Sequence, residues 1–256
     1  MHSKIFETHA HYEDAKFDAD REALIASLPE HDIEYVINVG SSLETTEKSI
    51  ALAEQYDFIY AAVGVHPSDV TELNEKNLKA IEQAAEHKKA VAVGEIGLDY
   101  YWAENPPKER QQELFRQQVM LAKELGLPVI IHDREAHVDT LEVLRELRPQ
   151  GVLHCFSGSA EMAREAAALG MYMGFTGAVT FKNARKAPQA AAAVPDDRLL
   201  IETDCPYMAP EPYRGKRCDS GMLPRVAERL AEIRGCTAEE IVEMTCRNAK
   251  RLFGIA

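Results

Sequence analysis

Eight short apolar runs alternating with nine helix-patterned stretches over 256 residues predict an α/β fold, a single (β/α)8 TIM barrel with an extra C-terminal helix. A third observation sharpens that expectation. Five of the runs carry a histidine or a carboxylate at the carboxyl end: IFETHAH at 5–11, AVAVGEI at 90–96, LPVIIH at 127–132, GVLH at 151–154 and LLIETD at 199–204. Parallel strands in a barrel would bring those side chains to one face, whereas random placement would scatter them.

The strand candidates lie near residues 5–9, 34–39, 58–65, 90–95, 128–132, 151–155, 171–174 and 198–203. Each is a short, mostly apolar run, as expected of strands buried on both faces. Between consecutive strands come DADREALIASLPE, ETTEKSIALAEQY, EKNLKAIEQAAEHK, PKERQQELFRQQVMLAKELG, EAHVDTLEVLRELR, SAEMAREAAALG and a weaker segment, KNARKAPQAAAAV. These combine helix-favouring residues with helical apolar spacing. After the eighth strand, CPYMAPEPYRGKRCDSG is the longest irregular segment and is expected over the carboxyl face, shaping the substrate site. Two more helices follow, GMLPRVAERLAEIRG to close the ring and TAEEIVEMTCRNAKRLFGI to pack against it. No linker-like tract or internal repeat divides the chain, so residues 1–256 are expected to form one domain. A doubly wound open sheet is the rival architecture, but it would bind its ligand at one switch point rather than recruit many strand ends.

An apolar content of 46% is enough for a full core. No stretch approaches the roughly 20 apolar residues that cross a bilayer, and MHSKIFETHAHYED lacks the apolar region of a secretion signal. A cytoplasmic protein with no membrane association and no evident stable protein partner is the expectation. The five cysteines, Cys155, Cys205, Cys218, Cys236 and Cys246, form no CxxC pair and are expected to be reduced. Strand alternation would turn Cys155 and Cys205 away from the polar residues they follow. A formal charge of −13 excludes a broad basic surface that coats nucleic acid. It leaves room for a small phosphate pocket, with local cations in KNARK and YRGKR.

His9 and His11, two residues apart on an extended chain, point the same way and can bind one ion. Glu95 sits between glycines that admit close approach of backbone or substrate. Its two oxygens suit it to bridge an ion held by His9, His11 and Asp204 and a second held by His132 and His154. Two ions about 4 Å apart would activate a water and offset charge on both attacking and leaving oxygens. Asp204 can serve as ligand and as proton acceptor, or it can be a turn residue before Pro206. Glu202, two residues earlier, would support the site from behind. The ligand set lacks sulfur and fits Zn, Mn, Fe, Ni or Mg. His66 is placed to touch a phosphate or leaving group, or to be fixed in the turn at Pro67. Arg134 and Lys182 are phosphate contacts or ordinary solvated charges.

In order along the chain stand THAH (8–11), GVHP (64–67), GEIGLDYY (94–101), RQQELFRQQVMLAKELGLPVIIHDREA (110–136), HCFSGS (154–159), ETDCPY (202–207), RGKR (214–217) and NAKRLF (248–253). On these segments the chain resembles, end to end, the TatD family of metal-dependent hydrolases within the amidohydrolase-like TIM-barrel group. The resemblance puts the family's metal ligands on His9, His11, Glu95, His132, His154 and Asp204. It also implies deoxyribonuclease activity, often 3′ to 5′ on single strands, with Mg or another divalent ion. Two departures stand out: Glu7 replaces the usual Asp before THAH, and CDSG (218–221) replaces an Asn-Glu-Pro-like sequence near the expected substrate loop.

The expected function is therefore a divalent-metal-dependent phosphodiesterase of 3′ to 5′ exonuclease type. It would act on a DNA end or short single strand with a water activated by two ions, Mg, Mn or Zn, and with Asp204 and Glu95 as catalytic residues. One alternative is ester or amide hydrolysis on a small metabolite or an aminoacyl-tRNA. Another is a noncatalytic metal-binding scaffold.

Overall fold

The structure, a computed structural model, describes residues 4–70 and 74–256. Eight parallel strands stand in sequence order in one sheet. They are β1 (Ile5–Ala10), β2 (Ile33–Val39), β3 (Ile59–Val63), β4 (Ala90–Asp99), β5 (Val129–Arg134), β6 (Gly151–Leu153), β7 (Met171–Phe175) and β8 (Leu199–Ile201). Helices α1 (Arg21–Ser27), α2 (Leu43–Gln55), α3 (Glu75–Ala85), α4 (Lys108–Leu125), α5 (His137–Leu147), α6 (Ala160–Ala168) and α7 (Lys186–Ala193) join them, and α8 (Leu223–Arg234) and α9 (Ala238–Phe253) follow. This is the expected barrel with its additional C-terminal helix. Among the described residues, no helix is long and apolar enough to cross a membrane.

The boundaries shift where local chemistry overrides apolar pattern. The stretch expected as one helix over 18–30 is the short α1 followed by a 3-10 turn, Leu28–His31, with Pro29 in its first turn. At the other extreme β4 runs to Asp99, past glycines that gave no strand signal.

Strand residues divide by parity into two cores. Ile5, Val36, Ala61, Val129, Leu153, Met171 and Leu199 pack outward with residues of the surrounding helices. Phe6, Ile37, Ala62, Ala92, Ile130, Val152, Tyr172 and Leu200, one from each strand, fill the barrel and join a cluster with Cys246, Ala249, Leu252 and Phe253 of α9. The Phe6 and Phe253 rings stack at 5.9 Å. Helix α9 has capping-box hydrogen bonds at Thr237 and Glu240, and ends at Gly254 in a left-handed conformation. It lies across the amino-terminal mouth: Asn248 Nδ2 donates to the carbonyls of Asp196 and Leu199, and Lys250 pairs with Glu34 at the start of β2.

The ring closes between β1 and the chain just beyond β8. Asp204 N donates to the His9 carbonyl at 2.9 Å and His11 N to that of Cys205 at 2.8 Å. Glu7, fully buried, accepts from Thr203 N at 2.9 Å and Thr203 Oγ1 at 2.7 Å. Burial pushes the Glu7 carboxyl up to about 8 despite those hydrogen bonds.

Candidate metal centre

His9 in β1, His11 just after it, His66 after β3, Glu95 in β4, His132 in β5, His154 after β6 and Asp204 after β8 meet at the carboxyl ends of the strands. All but His9 line a cavity of about 540 Å³. Two ladder irregularities place the innermost groups. Between Glu7 and Ala10, β1 carries one residue more than the facing β2, and between Val93 and Ile96, β4 carries one more than β5. Such bulges re-aim side chains, and His9 and Glu95 sit inside them. A Cβ on Gly97 would meet the His132 carbonyl oxygen at 2.1 Å, and its φ of 139° suits glycine. The glycines beside Glu95 therefore serve close packing of β4 on β5.

Glu95 is at the centre of the cluster. Its Oε2 lies 3.5 Å from His9 Nε2 and 3.7 Å from His11 Nε2. Its Oε1 lies 2.9 Å from His132 Nδ1 and 2.7 Å from His154 Nε2. One carboxylate thus addresses two histidine pairs. Asp204 Oδ1 completes the first group, 3.7 Å from His9 Nε2 and 3.5 Å from His11 Nε2.

The donor set fits cations. The Nε2 atoms of His9 and His11 are 3.1 Å apart, and His132 Nδ1 is 3.3 Å from His154 Nε2. Two nitrogens at such separations share either a proton or a cation, because two facing lone pairs repel. Two tautomers are set from behind: His11 Nδ1 donates to the Val39 carbonyl at 2.8 Å, and His132 Nε2 donates to Asp99 Oδ2 at 3.2 Å. The opposite ring nitrogens are thereby turned toward Glu95, as metal-binding imidazoles require.

Electrostatics agree with that reading. Burial disfavours charge on Glu95, but the neighbouring His154 charge and hydrogen bonds from His132 and His154 hold its carboxyl well below the usual range. Burial also opposes charge on Asp204, which contacts with His11 and the charge of His154 overcome. His132 is disfavoured as a cation by burial, yet Asp99 and Glu95 raise it to about 9. His9 is pushed down to about 4 by burial and by His154. The carboxylates draw protons onto some imidazoles, the positions that metal cations would contest.

Glu202 is fully buried behind the cluster, accepting from Cys155 N at 2.5 Å and Thr8 Oγ1 at 3.2 Å, with His154 Nδ1 3.7 Å away. Gly174 makes room for it, because a Cβ there would meet the Glu202 carboxylate at 2.2 Å. Asp99 escaped the reading of the sequence. It lies four residues beyond Glu95 in the same strand and is anchored by Gln111, which accepts from its N–H and donates to its carbonyl. The usable signal was an acidic residue at the true end of a long, glycine-interrupted strand.

Around the mouth, His66 is fixed in the turn at Pro67, where Nδ1 accepts from Ser68 N at 3.1 Å, and its Nε2 faces Glu95 Oε1 at 3.7 Å. Burial and the charge of His132 lower it to about 3, so it is neutral with its proton on Nε2. Arg134 lines the cavity. Lys182 is exposed in the turn before α7 and does not line it. Cys205 is buried in the outer core, as alternation predicted, but Cys155 borders the cavity because its chain turns just past β6, with φ of 42°. Cys218 and Ser220 of the CDSG segment are buried, Ser220 Oγ 2.7 Å from Tyr12 Oη, and none of the four residues lines the cavity. That departure falls on internal packing, outside the lining of the cavity.

Comparison with known proteins identifies the family. A family model described as TatD related DNase matches residues 6–254. The chain is 45% identical over 254 residues to "Uncharacterized metal-dependent hydrolase YabD" of Bacillus subtilis, covering 98% of this chain and 99% of that protein. It is 36% identical to "3'-5' ssDNA/RNA exonuclease TatD" of Cronobacter sakazakii, covering 93% of this chain and 94% of the other. The crystal structure of the TatD homologue YjjV from Escherichia coli superposes with a TM-score of 0.94 at 34% identity, covering 100% of both chains. The chain belongs to the TatD family of metal-dependent hydrolases.

Proposed function

We propose that residues 1–256 act as one domain, a phosphodiesterase that removes nucleotides from the 3′ end of single-stranded nucleic acid. In this reading His9, His11 and Asp204 would hold one divalent ion and His132 and His154 a second, with the Glu95 carboxylate available to both. The observation that carries it is the Glu95 carboxylate, whose two oxygens face two separate histidine pairs. Similarity to a protein named as a single-strand DNA and RNA exonuclease supports the substrate class.

Two bound divalent ions would supply acidity to water and offset charge on the phosphoryl oxygens. The chain's residues do the rest. Asp204, kept ionised by His11 and His154, accepts the proton of the attacking water. His66 presents an Nε2–H donor toward a phosphate oxygen, and its neutrality is fixed by burial. Arg134 supplies a fixed positive charge at the cavity wall. Glu202 and Asp99 hold the cluster from behind. A cavity of this size admits about one nucleotide, within the roughly 300–1,000 Å³ typical of small-ligand sites. A short contact at a strand end needs few cations, which reconciles a polyanionic substrate with a net charge of −13.

The test is hydrolysis of end-labelled single-stranded DNA by metal-stripped protein, restored in parallel with Mg, Mn and Zn, with Glu95→Ala protein as the control for contaminating nuclease. Stepwise shortening from the 3′ end that needs both metal and Glu95 is expected. Absence of cleavage with every ion, in protein shown to hold metal, would transfer the site to ester or amide substrates.

A further inference from the structure

Exposed aromatic rings are unevenly distributed. Among the described residues the large apolar side chains most open to solvent are Tyr101, Trp102, Met120, Val138 and Tyr207, and all three aromatic ones follow the carboxyl ends of strands. Each lies beside a cation. The Arg134 guanidinium sits 3.9 Å from the Tyr101 ring centroid and 5.4 Å from that of Trp102, and Lys16 Nζ lies 4.0 Å over Tyr207. Tyr101 and Trp102 meet edge to face at 4.8 Å. In a ring of eight strands in sequence order, the β4–β5 side that carries Tyr101, Trp102 and Arg134 lies opposite the β8–β1 side that carries Tyr207 and Lys16. Arg134 and Tyr207 both line the cavity.

Two exposed rings held half open to water have no role in packing the barrel. Their cost is tolerated where a flat apolar ligand covers them. Alternating ring and cation is the chemistry that binds an unpaired nucleic-acid strand, in which each base offers a π-face and each linkage a negative charge. A duplex hides its base faces by stacking, so it cannot use such a surface.

We infer that Trp102 and Tyr101, steadied by Arg134, form a stacking subsite for a nucleobase of a single strand whose terminal phosphodiester enters the metal cavity. This rests on the nuclease reading above and adds to it the residues that select unpaired bases. Arg134 has two parts in this subsite, holding the Tyr101 ring and facing the phosphate beside the stacked base. Trp102 acts on binding and placement of the strand, without touching the reacting atoms.

Trp102 is the sole tryptophan, so its emission reports the subsite directly. Metal-loaded protein is titrated with a nuclease-resistant phosphorothioate oligothymidine, with the same oligomer carrying abasic residues, and with a duplex, while binding is followed independently by anisotropy of a labelled strand. Oligothymidine is expected to quench the emission, and the abasic oligomer to bind about 5- to 100-fold more weakly without quenching. Trp102→Ala should raise the KM for oligonucleotide by a similar factor with the loss falling on KM rather than kcat, and Trp102→Phe should recover most of it. Binding with unchanged emission, or equal affinity for the abasic oligomer, would overturn the subsite. Cleavage that persists with unchanged KM in Trp102→Ala removes the subsite and leaves the nuclease reading intact. Quenching without cleavage by any metal form removes the nuclease reading and leaves the subsite. Neither binding nor cleavage removes both.

Discussion

The two mouths of the barrel are built from the ends of the same eight strands, yet they have opposite chemistry. At the amino-terminal mouth α9 adds Phe253, Leu252 and Ala249 to the apolar cluster of inward strand side chains, and Asn248 caps the carbonyls of Asp196 and Leu199. At the carboxyl-terminal mouth buried Glu95 and His154 line an open cavity, with His9 and Glu202 buried behind them. The first end is held by apolar contact, which needs no ligand. The second concentrates charge that is costly to bury. A barrel tolerates this because the stability provided at one end offsets the burden at the other, which lets strand ends carry reactive groups.

That division can be tested by mutations at each end. Glu95→Ala should abolish binding of both ions, measured by elemental analysis, and lower hydrolysis by at least about 10³-fold while circular dichroism stays native. Phe253→Ala should cost about 3–5 kcal/mol in denaturant unfolding, with kcat/KM of the folded fraction unchanged. Loss of activity in well-folded Phe253→Ala protein would show that the two mouths are coupled. Asp204→Asn should lower kcat about 10²-fold with little change in melting temperature. Asp99→Ala should weaken metal binding about 10- to 100-fold, read by competition with a chromogenic chelator, because His132 loses the acceptor that orients it. Asn248→Ala, which strands two carbonyl acceptors, should cost about 1–3 kcal/mol and leave metal affinity alone.

The cavity floor was readable in the sequence and the rim was not, for physical reasons. His9, His132 and Asp204 stand at or just past the ends of apolar runs, and strand direction alone carries such residues to one place. Asp99 was missed because Gly97 breaks the apolar pattern of β4, although that glycine is what lets β4 approach His132. Cys155 and Asp204 lie past the strands at positive φ, where period-two alternation no longer predicts direction. At the rim, Arg134 and Lys182 are equivalent by charge. Arg134 is the last residue of β5 and inherits its aim from the sheet, whereas Lys182 sits in a turn that points it into solvent.

The seam between β1 and the segment after β8 has a consequence for how the protein is made. Its hydrogen bonds join residues 193 to 196 positions apart, from Thr8 to Ile201 and from Glu7 to Thr203. Asp204 is synthesised 193 residues after His11. The charged cluster is therefore among the last parts to assemble, when the final strand docks on the first. The His9–His11 group therefore gains its Asp204 carboxylate only in the step that also closes the barrel.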